Sequence, residues 1–313
     1  MWGYTAIKWA SGHGRWDLVV STFGPYINHI VAYKIKKNGL ASNWIADFRD
    51  LWVDHHIYQG IWPFRKIEKI MEGRLMELAS LITTVSFPLA QVLRHKYGQK
   101  VHVVENGFDP EDLELIGRKI IFPFDDKIRI LYTGNIYPKK QDPSPLFYAI
   151  SELNKDVRYN KKLKRLEVLF FGKNLDTIHK LITKYNVGPF VRCGGFVSRQ
   201  TSMNMQRHAD ILLFLEWDHK KAEGVLTGKL FEYLWAGPVI WAIGIHSDSI
   251  AGKLISENGF GIVMGKNTEK IKQNLIDLLD GHARPTTLEQ NKNKILNRYN
   301  RKVLAEKMLK LVA

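Results

Sequence analysis

The sequence predicts an α/β chain built on parallel, doubly wound sheets. Three observations carry that prediction. Apolar runs of strand length recur along the chain, and most precede a segment with helical spacing. Several runs end in glycine or small hydroxyl residues, as in Tyr132-Thr133-Gly134 and Val20-Ser21-Thr22, where a strand must turn into a helix. Runs such as Ala209–Leu215 are apolar almost throughout, which suits a parallel strand covered on both faces.

In the first region, Asp17–Thr22 reads as a strand, Phe23-Gly24-Pro25 as a turn, and Asn28–Lys37 as a helix with Gly39 past its end. Trp44–Trp52 reads as a strand that runs into charge. Ligands of open α/β sheets bind outside the carboxyl ends of strands. Asp47, Arg49 and Asp50 are therefore candidates to position a polar substrate or steady a leaving group, and a structural ion-pair cluster fits them too. His55, His56 and Trp62 fall in an aromatic loop, where adjacent histidines diverge and make a poor metal pair. Phe64–Leu78 reads as a helix with Ile67, Ile70, Met71, Leu75 and Leu78 at helical spacing. Its basic start, Arg65, Lys66 and Lys69, suits anionic lipid or an ordinary solvated face. A strand at Leu81–Ser86, a helix from Pro88 to Tyr97-Gly98 and a short strand at Val101–Val104 follow. Glu105–Pro110 is a strong turn and a natural hinge.

In the second region, strands are expected at Lys127–Asn135, Leu166–Phe171, Phe190–Val197 and Ala209–Leu215. The first leads through Gly134, Asn135 and a basic loop with Lys139 and Lys140 into a helix, an arrangement suited to a diphosphate. In Glu223–Ile240, Gly224 and Gly228 bracket a loop that opens the helix Lys229–Leu234, and Ala236-Gly237-Pro238 stops it. A helix start leaves N–H groups that attract phosphate, and Lys229 adds a point charge there. Glu232, one turn on, can accept hydrogen bonds from sugar hydroxyls. An ordinary βαβ crossover with a solvated Lys and Glu carries the same pattern. The final segment, roughly Leu288–Leu311, reads as one helix long enough to fold back across both regions.

The chain has 313 residues, 45% of them hydrophobic and 25% charged, which suits about two domains. A single cysteine, Cys193, excludes an internal disulfide and fits a reducing cytoplasm. No apolar run approaches the ~18 residues of a membrane span, and the first residues do not form a secretion signal. A formal net charge of +15 attracts polyanions. With no arginine-rich tail or nucleic-acid motif, an anionic membrane surface and phosphorylated substrates are favoured over nucleic acid.

WIADFRDLW, TTVS, VENGFD, LYTGNIY, GGFVSR, ADILLFLEW and GVLTGKLFEYLWAGPVI, in that order, resemble a bacterial glycosyltransferase of the GT-B fold. The group they most resemble is the retaining family 4, whose members build O-antigens (the lipopolysaccharide side chains), capsules and exopolysaccharides. The resemblance implies two Rossmann-like domains facing a cleft: an incomplete acceptor-side domain at 1–112 and a nucleotide-sugar-binding domain at 113–285. A helical tail at 286–313 would pack back across both. It implies sugar transfer with retention, a nucleotide-diphospho-sugar donor, a glycan or lipid-linked acceptor, and neither cofactor nor metal. The setting implied is the cytoplasmic face of the inner membrane. Glu232 would take the donor ribose. Lys229 and the turn Val225, Leu226 and Thr227 would face diphosphate and sugar. The backbone at Phe196 and Val197 would hold the base, Gly134 and Asn135 would border the phosphates, and Lys139 and Lys140 would add charge. Asp47, Arg49 and Asp50 would face sugar and acceptor.

Three features depart from the pattern. Gly224 stands where relatives often carry a second glutamate, and Glu223 lies one place earlier. Lys139-Lys140-Gln141 stands where arginine is common, which keeps charge but loses the bidentate fork. The first strands of a full N-terminal domain have no counterpart before Trp16. A sheet lacking them should expose an edge that Trp2, Tyr4, Ile7 and Trp9 partly cover, or that a separate chain completes. A nucleotide-sugar 2-epimerase of the same fold, or a donor-binding fragment needing a partner, are the alternatives.

Overall fold

The computed structural model describes residues 2–55, 61–113, 121–216, 224, 226–282 and 289–312. They form two units. One comprises Met1–Asn106 with His219–Leu226 and Arg301–Ala313, the other Gly107–Asp218 with Thr227–Asn300. The first division falls at Asn106/Gly107, inside the turn Glu105–Pro110.

The first unit runs α1 (Trp2–Ser11), β1 (Trp16–Thr22), α2 (Ile27–Lys37), β2 (Ala41–Phe48), α3 (Phe64–Leu78), β3 (Leu81–Thr84), α4 (Phe87–Tyr97) and β4 (Val101–Val103). Its four strands pair in parallel in the order β1-β2-β3-β4. Covering helices bury β2 on both faces, so Trp44, Ile45, Ala46, Asp47 and Phe48 are all inside. Trp44 and Phe48 join Ala32, Met76, Ile82 and Leu93 in one core. β1 is different. Among the described residues it has a neighbour on one side only, and Trp16 and Val20 are exposed. The expected open edge is thus present. α1 covers ground beside it: Ile7 and Ala10 pack with Val31 and Ile35 of α2, while Trp9 stacks on Trp16 with ring centroids 6.2 Å apart. Trp2, Tyr4 and Trp9 nonetheless stay exposed.

α3 forms over the expected residues, and its burial is uneven along its length. Leu75 and Met76 face the core, but Ile67 and Ile70 are 57% and 58% exposed. The third inward residue is a glutamate. Glu72 Oε2 accepts from Val53 N at 2.9 Å, and Oε1 accepts from Tyr97 Oη at 2.6 Å and Lys96 Nζ at 3.0 Å. Burial lowers the Lys96 pKa, but Asp54 and Glu72 overcome it and leave the ammonium raised. Helical periodicity cannot foresee this, because the glutamate is held by groups on α4 and on the chain after β2.

The second unit holds β5 (Ile128–Thr133), α5 (Ser144–Lys155), β6 (Leu166–Phe171), α6 (Asp176–Tyr185), β7 (Val191–Gly195), α7 (Arg199–His208), β8 (Ile211–Leu215), α8 (Gly228–Ala236), β9 (Val239–Ile243), α9 (Ile250–Ser256), β10 (Gly261–Gly265), α10 (Thr268–Leu279) and α11 (Glu289–Arg298). All six strands are parallel, ordered β10-β9-β8-β5-β6-β7. This is the doubly wound order with a reversal between β5 and β8. Both sheets agree with the two-domain, Rossmann-like expectation.

The expected single last helix is two. α11 ends at Arg298 and α12 (Arg301–Leu309) begins after a break. Tyr299 turns inward against Phe231, with ring centroids 4.9 Å apart, and its carbonyl accepts from Phe108 N at 3.1 Å. α12 counts with the first unit, where Lys307 pairs with Glu105 at 2.9 Å.

Because Glu72 satisfies three donors from inside the first unit, Glu72→Ala should destabilise it by about 3 kcal/mol. Urea unfolding followed by circular dichroism checks this, and a loss below about 1 kcal/mol would mean that the donors find other acceptors.

Candidate active site

In the second unit the strand order reverses between β5 and β8, and ligands of open α/β sheets bind outside the carboxyl ends of the strands at such a point. Glycine lets two loops approach closely there. Gly172, after β6, has φ +153°, and a Cβ on it would lie 2.0 Å from the Gly134 carbonyl oxygen. Gly134, after β5, has φ +132°, and a Cβ on it would lie 2.7 Å from Lys229 Nζ. The space that a side chain would fill at Gly134 is taken by the lysine's ammonium.

Lys229 stands in the first turn of α8. Its ammonium lies 3.7 Å from the centroid of the Tyr132 ring and donates to the Tyr132 hydroxyl. That hydroxyl donates to Asn135 O at 2.8 Å. The residue is half-buried as a whole, but its charged end is enclosed, and burial lowers its pKa to about 8 against the attraction of Glu216 and Glu232. Burial likewise pushes the Tyr132 phenol well up, so it stays protonated. Thr133 is clamped by both covering helices: its N–H donates to Tyr233 Oη at 3.1 Å, and its hydroxyl accepts from Gln206 Nε2 at 2.8 Å.

Thr227 sits at the N-cap of α8 but makes no side-chain capping bond, and instead donates to Glu216 Oε2 at 3.3 Å. The Gly228 and Lys229 amides at the helix start are thus not capped by it, which leaves the positive end of the helix for an anion. Leu226, just before, is buried.

The basic loop after β5 divides its labour. Lys139 is exposed with φ +64°, and Lys140 is half-buried. Gln141 is structural: Nε2 donates to Leu215 O at 3.1 Å, and Oε1 accepts from Tyr137 N at 3.1 Å. It ties the loop to the end of β8.

Glu232 keeps 28% of its side chain exposed and pairs with Arg199 Nη1 at 3.2 Å. Arg199 also holds Asp112 through Nη2 at 2.5 Å. The carboxylate expected to take ribose is therefore oriented by an arginine of α7. Phe196 and Val197 lie between β7 and α7. The Phe196 ring is exposed, with Lys173 Nζ 5.1 Å from its centroid, and Val197 is half-buried.

In the first unit, Asp47 and Arg49 meet and Asp50 does not join them. Asp47 is buried at the end of β2. Its Oδ1 accepts from Thr83 Oγ1 at 2.7 Å, and its Oδ2 accepts from Arg49 Nε at 2.6 Å and Thr22 Oγ1 at 3.3 Å. Three strand ends are thereby tied. Arg49 Nη1 continues to Glu105 O at 3.2 Å and Asn106 Oδ1 at 3.1 Å. Asp50 is half-buried and faces His55, Nε2 to Oδ1 4.0 Å.

Glu223 and Val225, expected at the site, lie outside the described residues, as does His56. Gly224 is described, with φ +88°, and a Cβ there would meet Ser86 Oγ at 2.7 Å. A glutamate at that position would be strained in this backbone. Tyr132, Gly172 and Arg199 were not singled out from sequence. Gly172 carried a signal, a glycine ending a strand beside another such strand. Tyr132 is hidden in an apolar run, and nothing local marks Arg199. Among the described residues, no group of three or more His, Cys, Asp or Glu side chains is placed to hold a metal ion. No described helix is long and apolar enough to cross a membrane.

Comparison with known proteins agrees with this architecture. The family model of Glycosyltransferase Family 4 matches residues 4–112. The chain is similar in structure to a sucrose-phosphate synthase from Thermosynechococcus elongatus, with TM-score 0.62 and 14% identity over 94% of this chain and 72% of that one. It is similar to TarM of S. aureus, solved with UDP, fondaparinux and α-GlcNAc-glycerol, with TM-score 0.62 and 12% identity over 98% of this chain. This chain spans 58% of TarM's length. A protein described as a UDP-N-acetylglucosamine 2-epimerase from Listeria monocytogenes also matches, with TM-score 0.54 and 13% identity over 94% of this chain and 76% of that one. No curated protein matches in sequence. Together the matches show the fold, two Rossmann-like units of the GT-B type, with the segment 4–112 matched to Glycosyltransferase Family 4.

Gly172→Ala should destabilise the second unit by about 3 kcal/mol, since the new methyl combines backbone strain with overlap of a fixed carbonyl. An unchanged thermal unfolding midpoint would show that the two loops are not held this close.

Proposed function

We propose that the chain transfers a sugar, with retention of anomeric configuration, from a nucleotide-diphospho-sugar to a lipid-linked glycan acceptor. The setting is cell-surface polysaccharide assembly at the cytoplasmic face of the inner membrane. The observation that carries this reading is the enclosed ammonium of Lys229 beside Gly134 and the uncapped start of α8, at the strand reversal of the second sheet. As the glycosidic bond to the nucleoside diphosphate breaks, negative charge grows on the diphosphate. An ammonium held in place and two helix amides favour that charge without reorganising, and Lys139 and Lys140 add to the field.

Glu232 is already oriented by Arg199 and keeps acceptor capacity for ribose hydroxyls, and the exposed Phe196 ring suits stacking by a base. On the acceptor side, Asp47 has its oxygens engaged by three donors, so it acts as a positioning residue and Arg49 is the group available to a sugar or acceptor oxygen. A separate chain completing the open β1 edge is compatible with this scheme.

Likeness to an epimerase fold supports a second reading. Incubation with the donor alone separates the two: a 2-epimerase inverts the sugar at C2 without acceptor, whereas a retaining transferase leaves the sugar's configuration intact and turns over only with acceptor. Nucleotide binding with turnover in neither case would support a donor-binding fragment that needs a partner.

Calorimetry with nucleoside diphosphates tests the site directly. Glu232→Ala should weaken binding by about 1.5–3 kcal/mol, the worth of a charge-assisted hydrogen bond. The pH dependence follows from Lys229. Its folded pKa lies below the ordinary lysine value, at about 8, so the free protein loses this cation as pH rises through that point. A bound diphosphate favours the protonated form, so affinity should fall between pH 7 and 9 in the native protein and stay flatter in Lys229→Met. Parallel profiles would remove Lys229 from the phosphate site.

A further inference from the structure

The exposed side of α3 carries a surface that neither the fold nor sugar transfer explains. Ile61, Trp62, Phe64, Ile67 and Ile70 are 72%, 78%, 60%, 57% and 58% exposed, in one short stretch at the start of the helix. Isolated exposed apolar residues are ordinary, but a continuous run is not. Ile67 and Ile70 lie three apart, and Lys66, Ile70 and Arg74 lie four apart, so these side chains share the helix face opposite Glu72 and Met76. Arg65, Lys66, Lys69 and Arg74 are all exposed around the apolar residues, against Glu68 and Glu77. Aromatic and aliphatic side chains ringed by cations match the boundary of an anionic bilayer, where rings enter the headgroup layer and ammonium and guanidinium groups meet lipid phosphates.

We infer that the amino-terminal half of α3, with Ile61 and Trp62 before it, docks the first unit onto an anionic lipid surface. The helix follows β2 and runs back against the strand direction, so its start lies at the carboxyl-end rim of the sheet, the rim that holds Asp47 and Arg49. A membrane gripped there lies on the side of the unit from which a lipid-carried acceptor would arrive. The docking rests on α3 alone. Only its use for the acceptor rests on the proposed transfer.

Sedimentation with vesicles of phosphatidylcholine, with and without phosphatidylglycerol, tests the inference on the full chain. The native protein should sediment with the anionic vesicles and not with the neutral ones, less so as salt is raised. Arg65→Gln, Lys66→Gln, Lys69→Gln and Arg74→Gln together should weaken binding about a hundredfold or more, at about fivefold per cation. An equal loss of charge on exposed residues of the second unit (Lys161→Gln, Lys164→Gln, Lys180→Gln and Lys184→Gln) should weaken it less than tenfold. Trp62→Ser, Ile67→Ser and Ile70→Ser together should also release the protein with its charge unchanged. All these side chains are exposed, and nucleoside diphosphate affinity serves as the readout of folding and of the donor site, which should not change. Equal loss from both charge sets, or full binding by the apolar triple variant, would overturn the inference. So would a dimer in native sedimentation equilibrium that the triple variant dissolves, since the face would then belong to a second copy.

Discussion

The pairing of Lys229 with Tyr132 is the contact on which the second unit's candidate site depends. It couples the first turn of α8 to the end of β5, across the point where the strand order reverses. Two glycines make it possible, because any larger residue at Gly134 would displace the ammonium and any larger residue at Gly172 would push away the Gly134 carbonyl. The cost is visible in the lysine itself, whose pKa falls because its charge is partly removed from water. A cation held at such a cost, with the phenol as its neighbour, gains from any anion that enters. In the proposed transfer, that anion is the departing diphosphate.

The same economy appears in the first unit, with a different outcome. Asp47 is as deeply buried as a core residue, yet three donors saturate it. It ties β1, β2 and β3 at their carboxyl ends and fixes the base of Arg49. Glu72 plays a comparable part beneath α3, where it gathers a backbone amide, a phenol and an ammonium. Buried carboxylates thus shape this unit, and its outward chemistry is left to cations and aromatic rings.

Much of the architecture was legible in the sequence because it rests on local patterns. Apolar runs closed by Thr133-Gly134 or Phe171-Gly172 mark the ends of parallel strands, and the stop at Ala236-Gly237-Pro238 marks α8. Lys229 was marked as a cation in the first turn after a glycine loop, a pattern a solvated lysine shares, and its enclosure against Tyr132 depends on β5, far away in sequence. What escaped depends on partners distant in sequence. Helical spacing marked Ile67 and Ile70 along α3 but not the inward place of Glu72, whose partners come from α4 and the chain after β2. Glu232 was visible as an acidic residue one turn into a helix, but its pairing with Arg199 was not, because α7 reaches it only in the fold. The long last helix failed where Tyr299 turned to meet Phe231.

The most direct test is a structure with a nucleoside diphosphate bound. The account predicts phosphate oxygens within hydrogen-bond distance of Lys229 Nζ and of the Gly228 and Lys229 amides, with the ribose hydroxyls at Glu232. A diphosphate bound elsewhere, with the ammonium still resting on Tyr132, would contradict it.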